Sequence, residues 1–386
     1  MDTIVKDGGS ASLAIKKARH INDALKEQDV YNYICLSING DNRMLTNWQS
    51  LQHSLRLAEE GGNLRHEARI TADGDVTAVF ITAESCIQIC RSYPFLMQMD
   101  RTFNIIKVKD ISFLNITVED CCGRQRIVAF VLMVDQHTKE EDYDWIFQRV
   151  TTILLSDTGP RPHSVGIDHE LALYNALQRS NLCSYVYFCT KHMTAAIKAA
   201  LARALPSAAE NDLADDILGR IVGIMKANST DLLALRKADL AATPFAAAHP
   251  AFMIYLNTTW YPYERCWADA YRNQHRHYGW STTNGVEGSH ASIKRYLHWE
   301  PKSSRDFVNR LDDIFNRQEI NFRQSMAKQS ATPSWITKGT GNLFSRVIRV
   351  ASHHALKLIY EQFKRYKLFD NTNYFIILYS NTGTCM

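Results

Sequence analysis

The chain has 386 residues, 46% hydrophobic and 22% charged, which is enough apolar material for a large core and two or three subdomains. No stretch approaches the roughly 18 consecutive apolar residues that a membrane-spanning helix needs. The start, Met1-Asp2-Thr3-Ile4-Val5-Lys6-Asp7, lacks the apolar segment of a secretory signal, so an intracellular protein is expected. Net charge is only +4, but residues 288–370 hold 15 Lys and Arg against 7 Asp and Glu, a net of +8, while the rest of the chain carries −4. A basic segment beside an acidic remainder fits a polyanion partner or, equally, a set of solvated helices. The nine cysteines include no C-x-x-C pair and read as reduced, buried small hydrophobes; Cys86 and Cys90, four apart, are packing residues of one helix face.

In chain order, Gly8-Gly9-Ser10-Ala11-Ser12 precedes a helix near Leu13–Leu25, and Gly61-Gly62-Asn63 is a turn. Ala68–Thr71 and Val76–Ile81 flank Asp73-Gly74-Asp75 as a hairpin, followed by a short helix over Glu84–Tyr93. Phe95–Phe103, Ser112–Val118 and Arg126–Val134 read as three strands of an antiparallel meander, the last two joined across Cys121-Cys122-Gly123-Arg124. Tyr143, Phe147, Val150 and Leu154 give Glu140–Leu155 a helical period. Then come a strand His163–Ile167, a helix Glu170–Arg179, a strand Tyr185–Phe188 and a helix His192–Leu205. The order β-β-β-α-β-α-β-α predicts an α/β fold with a mixed five-stranded sheet flanked by helices. That is the element order of ribonuclease-H-like nucleases and integrases, although a fold does not assign a function.

The expected organisation is an N-terminal α+β region (1–94), the first part of the core (95–205), an all-helical insertion (206–257), a core completion with a glutamate helix (258–300) and a basic helical C-terminal region (301–386). Within the last, residues 303–330 and 344–367 read as amphipathic basic helices. Trp260 and Trp267 read as core aromatics, with base stacking as the alternative.

Three carboxylates carry the chemistry. Asp100 lies in the second half of the first core strand, Asp168 where the fourth strand ends, and Glu287 in Asn284-Gly285-Val286-Glu287-Gly288-Ser289-His290, which opens a helix. Phosphodiester chemistry gains most from two divalent cations about 4 Å apart, held by hard carboxylate oxygens. His290 and Lys294 follow Glu287 at i+3 and i+7, on one helix face suited to a phosphate groove, and Arg295 adjoins them. Each residue also has a plainer reading. An aspartate at a strand end caps turns, and Asn284 with Glu287 has the spacing of a capping box.

At these residues the chain resembles the Mutator-like element (MULE) transposase family. The resemblance rests on Met99-Asp100-Arg101-Thr102-Phe103, on Gly166-Ile167-Asp168-His169-Glu170-Leu171-Ala172-Leu173, on Phe188-Cys189-Thr190-Lys191-His192 and on Thr282 to Lys294, and covers roughly Leu64 to Leu297. It implies an RNase-H-like DDE core that cuts and joins DNA with Mg²⁺ or Mn²⁺, using Asp100, Asp168 and Glu287 as catalytic and metal-binding residues. It further implies DNA as partner (transposon ends and target), contacts from His290, Lys294 and Arg295, a nuclear location and compatibility with a homo-oligomer. The N-terminal zinc-binding domain and C-terminal SWIM finger of many family members are not visible, so a catalytically inactive or domesticated DNA-binding or regulatory derivative is the alternative. A nuclease acting on RNA–DNA hybrids is a third reading.

The family's C-x-x-H pair, Cys189 and His192, supplies half of zinc's usual four ligands near Asp168, and no second pair lies nearby in sequence, although Cys183 and His169 could approach. A structural brace of the strand-to-helix turn is therefore expected, and Zn²⁺ is not. No P-loop, dinucleotide-binding or zinc-peptidase motif occurs, which removes sequence support for ATP hydrolysis, nicotinamide chemistry and zinc proteolysis.

Overall fold

The computed structural model describes residues 48–72, 74–102, 111–134, 139–207, 210–283, 293, 303–331 and 351–368. The helix expected near Leu13–Leu25, Asp73, Phe103, most of residues 284–302 and the start of the 344–367 helix lie outside these. The chain divides into two compact units, one of residues 1–118 and 127–315, the other of 119–126 and 316–386.

In the first unit, helix α1 (Trp48–Glu60) precedes β1 (Arg65–Ile70) and β2 (Val76–Thr82), and helix α2 (Glu84–Ser92) precedes β3 (Leu96–Thr102), β4 (Ile111–Glu119) and β5 (Gln125–Val134). Then follow α3 (Glu140–Arg149), β6 (Ser164–Ile167), α4 (Leu171–Ser180), β7 (Tyr185–Phe188) and α5 (Thr190–Ala204). The sheet has seven strands in the order β1-β2-β5-β4-β3-β6-β7, not the expected five. The two additional strands are the 65–82 hairpin. Ala78, Val79, Phe80 and Ile81 are all buried, so β2 is apolar on both faces and has to lie inside a sheet. It pairs antiparallel with β5, from Ala78 opposite Met133 to Ile81 opposite Phe130. The outer strand β1, Arg-His-Glu-Ala-Arg-Ile, is polar and only partly buried, which suits a sheet edge.

β3 runs antiparallel to β4 and parallel to β6, and β6 runs parallel to β7. The apolar runs of β4 and β5 are buried throughout their interiors, as strands covered on both faces require. The helix expected over 140–155 is α only to Arg149 and continues as a π-helix over Val150–Leu155. The wider turn keeps Val150, Ile153, Leu154 and Leu155 buried together. Arg91 donates from Nε to Leu154 O (3.3 Å) and from Nη2 to Ile153 O (3.1 Å), satisfying carbonyls at the helix end.

The 206–257 stretch is helical as expected: α6 (Asn211–Met225), α7 (Thr230–Ala241), α8 (Pro244–Ala248) and α9 (Pro250–Tyr255). Ser229 Oγ accepts from Leu232 N at 3.2 Å and starts α7; Thr243 Oγ1 does the same for α8 ahead of Pro244. Short helices α10 (Glu264–Trp267) and α11 (Asp269–Arg272) follow. Trp260 and Trp267 are buried core aromatics. Helix α12 (Ser304–Ala331) buries Phe307, Val308, Leu311, Ile314 and Phe315, one stripe at helical spacing. Phe307 meets Phe113 edge-on at 5.9 Å, and Phe315 lies 5.2 Å from Phe130.

The second unit holds the 119–126 turn, the end of α12 and helix α13 (His353–Leu368). Cys121 Sγ lies 3.4 Å from Met326 Sδ, and the Arg126 guanidinium caps Phe322 at 4.9 Å. Gly123, at φ +72°, lies under the His354 ring, so only glycine fits the turn. No helix of the described residues is long and apolar enough to cross a membrane.

Candidate functional site

The parallel pairing of β3 and β6 places Gln98 opposite Gly166. Two residues further on, Asp100 and Asp168 share a face at the ends of adjacent strands, because side chains alternate along a strand. Gly166 is small for a reason: a Cβ there would run into the ring of Tyr187, its neighbour on β7. With that space open, the Tyr187 hydroxyl accepts from Gln98 Nε2 at 2.9 Å, and the same amide donates to Thr282 O at 3.1 Å. Gln98 thus ties together β3, β7 and the segment leading toward Glu287.

The loop after β6 is fixed from its other side. Arg101 donates to Ser112 Oγ (2.7 Å), to the Tyr143 hydroxyl (3.2 Å) and to Glu170 Oε1 (3.0 Å), and Tyr143 donates to the same carboxylate oxygen. This network anchors the residue two places after Asp168 to the strand that carries Asp100. Sequence reading missed it, although Arg101 and Glu170 both lie inside the motifs it singled out.

Asp100 is 4% exposed and hydrogen-bonded to Asp168. Burial, reinforced by the adjacent Asp168 charge and only partly opposed by His192, pushes its carboxyl up to about 8. Asp100 is therefore protonated at neutral pH, its carboxyl held against the Asp168 carboxylate. Directly across the ladder, Asn115 pairs with Asp100 in register. Its side chain is fully buried, and neither its Oδ1 nor its Nδ2 has a hydrogen-bond partner. A paired carboxylate beside a buried amide with an unused oxygen is a hard-donor set, and it fits a divalent cation such as Mg²⁺ or Mn²⁺.

The C-x-x-H pair joins this centre rather than a separate one. Cys189 N donates to Ile167 O (2.9 Å), bringing the ends of β6 and β7 together. His192 Nδ1 then lies 2.6 Å from Asp168 Oδ1. Hydrogen bonds to Asp168 and Cys189 raise the His192 imidazole to about 11. Burial pushes the Cys189 thiol up, but hydrogen bonds from His192 and Thr283 outweigh it and the net shift is downward. Ligand atoms of Asp168, Cys189 and His192 all lie within 4.8 Å of one another, the one such group among the described residues. Neither Cys183 nor His169 takes part. His169 is half-buried against Trp260 (4.5 Å), Phe188 (5.1 Å) and Tyr263 (5.3 Å), and desolvation lowers its pKa.

Thr283 closes the arrangement. It is fully buried, its N–H points at Cys189 Sγ (3.3 Å), and its hydroxyl lies 3.4 Å from Asp168 Oδ1. Just before it, Ser281 O accepts from both N and Oγ1 of Thr190 at 2.9 Å. Of the expected site residues, the structure therefore brings Asp100, Asp168, Cys189 and His192 together. Glu287, His290, Lys294 and Arg295 lie outside the described residues.

This is a mixed α/β domain with a buried aspartate, Asp100, against a partly exposed one, Asp168, at the ends of adjacent strands. Residues 96–208, which include Asp100, Asp168, Cys189 and His192, match the family model of the MULE transposase domain. No curated protein matches the chain.

Proposed function

We propose that the chain is the catalytic core of a DNA transposase with a DDE triad of Asp100, Asp168 and Glu287. The observation that carries this reading is the contact between buried Asp100 and Asp168, in a segment that matches a transposase domain. The mixed sheet, in which β3 lies between antiparallel β4 and parallel β6, supports this reading, and the 65–82 hairpin extends it at one edge. Glu287 follows four residues after Thr283, whose hydroxyl lies at Asp168, and Ile293, six residues further, is fully buried in the core. Thr283 and Ile293, on either side of Glu287 in sequence, both belong to the unit that holds the aspartates.

Bound divalent cations supply Lewis-acid activation of the attacking oxygen and stabilisation of the leaving one. The residues do the rest. Asp100 and Asp168 would provide the hard oxygens that hold these cations. The Arg101–Glu170–Tyr143 network and the Gln98–Tyr187–Thr282 hydrogen bonds fix the two strand ends, so that little reorganisation is needed during reaction. His290, Lys294 and Arg295 contact the DNA backbone in this reading. Binding then weakens steeply with salt, in proportion to the phosphates neutralised.

The test is nicking of a DNA duplex in Mg²⁺ by the full chain and by Asp168→Asn. Loss of nicking with an unchanged circular dichroism spectrum is expected. Equal nicking by the variant would remove the assignment.

A further inference from the structure

We infer that Asp168, Cys189 and His192 form a second cation site, selective for a borderline-soft ion such as Zn²⁺, that competes with the hard-cation site for Asp168. The competition rests on the catalytic reading above; the binding does not.

The donor set is the first argument. One thiolate, one imidazole nitrogen and one carboxylate oxygen are typical zinc ligands, and Mg²⁺ has little use for the first two. The three atoms already lie within 4.8 Å of one another. Bonds of about 2.0–2.3 Å in a tetrahedron place ligand atoms roughly 3.3–3.8 Å apart. The 2.6 Å Asp168–His192 contact therefore opens by about 1 Å when its proton is exchanged for an ion.

Support around the ligands is the second argument. Thr283 donates its N–H toward Cys189 Sγ and its hydroxyl toward Asp168 Oδ1, the kind of outer contact that orients metal ligands. The third is access. Cys189 is buried, but Asp168 and His192 side chains are 30% and 40% exposed, which leaves a solvent-facing side for the ion to approach and for water as fourth ligand. Only two of the three ligands are adjacent in sequence, so a C-x-x-H pair short of two partners gains one from a strand end.

An ion held there draws on the Asp168 carboxylate, which the hard-cation site also needs. Zn²⁺ thus acts as an inhibitor of that site rather than as its cofactor.

Titration of the full chain with Co²⁺ as spectroscopic probe tests the site directly. A cobalt–thiolate charge-transfer band in the wild type, absent in Cys189→Ser, is expected. Chelator competition should show Zn²⁺ bound at least about tenfold more weakly by Cys189→Ser and by the more exposed His192→Gln. No thiolate band in the wild type, or unchanged Zn²⁺ affinity in both variants, overturns the site. Mn²⁺ paramagnetic resonance tests the competition: one equivalent of Zn²⁺ should free the bound Mn²⁺, and simultaneous binding of both overturns it. A thiolate band in a chain that binds no Mn²⁺ supports this site while removing the catalytic reading. Mn²⁺ binding without the band does the reverse.

Discussion

Asp142 and Asp100 are both buried carboxylates, and their surroundings are opposite. Asp142 Oδ1 accepts from Thr77 Oγ1 at 2.9 Å and from the Arg69 guanidinium, and its Oδ2 caps α3 by accepting from Lys139 N at 2.7 Å. Its charge is neutralised by donors from a strand, a helix start and a cation. Asp100, by contrast, faces a second carboxylate and a buried amide that bonds to nothing. Burying a charge costs free energy that Asp142 recovers within the fold. Asp100 avoids that cost by holding a proton, which a divalent cation would replace. Asp142 is held by donors of the fold, whereas Asp100 is held against a second carboxylate.

The comparison breaks first at Asp142. Asp142→Ala leaves Arg69, Thr77 and the Lys139 N–H without their acceptor and should cost about 3 kcal/mol in denaturant unfolding, with cation binding kept in the folded protein. A loss under about 0.5 kcal/mol would mean that the carboxylate is not structural. Gly166→Ala drives a methyl into Tyr187 and should cost about 2 kcal/mol while also weakening Mn²⁺ binding, since the Gln98–Tyr187 tie sets the strand ends. Asn115→Leu should go the other way. Replacing an unpartnered buried amide with an apolar side chain stabilises the cation-free protein by about 1 kcal/mol and lowers Mn²⁺ affinity. Destabilisation with unchanged affinity would place Asn115 on the structural side of the comparison.

The pH dependence sharpens the same contrast. Asp100 keeps its proton in the fold to about 8 against 3.8 in the unfolded chain, so the folded state binds the extra proton. Its contribution is full below 3.8 and is lost as pH rises toward 8, so cation-free stability falls across that window. His192, raised from 6.5 to about 11, adds a fall of the same sign above 6.5. Asp100→Asn should flatten the lower part of the profile and leave the upper part. An unchanged melting-temperature profile from pH 4 to 8 in that variant would assign the slope elsewhere.

The central strands were legible because each is a short apolar run closed by turn residues. The carboxylate pair was legible because Asp100 and Asp168 each stand at the end of such a run. Pairing of β2 with β5 was not, since nothing in Val76–Thr82 names a partner some fifty residues away. The nearness of the C-x-x-H pair to Asp168 was legible from the order of the turns, but the direct His192–Asp168 contact, made where parallel strands β6 and β7 end together, was not. The same limit hid Asn115, whose importance comes only from standing across the ladder from Asp100. Val150–Leu155 carries a helical period, and no pattern of apolar residues separates an α from a π turn.

Calorimetric titration of Mn²⁺ into the full chain at pH 7, repeated in buffers of different ionisation enthalpy, tests the paired-aspartate centre most directly. The account predicts binding that releases a proton, with both the binding and the release lost in Asp100→Asn. Binding of equal strength in Asp100→Asn, or no binding to the wild-type chain, would contradict it.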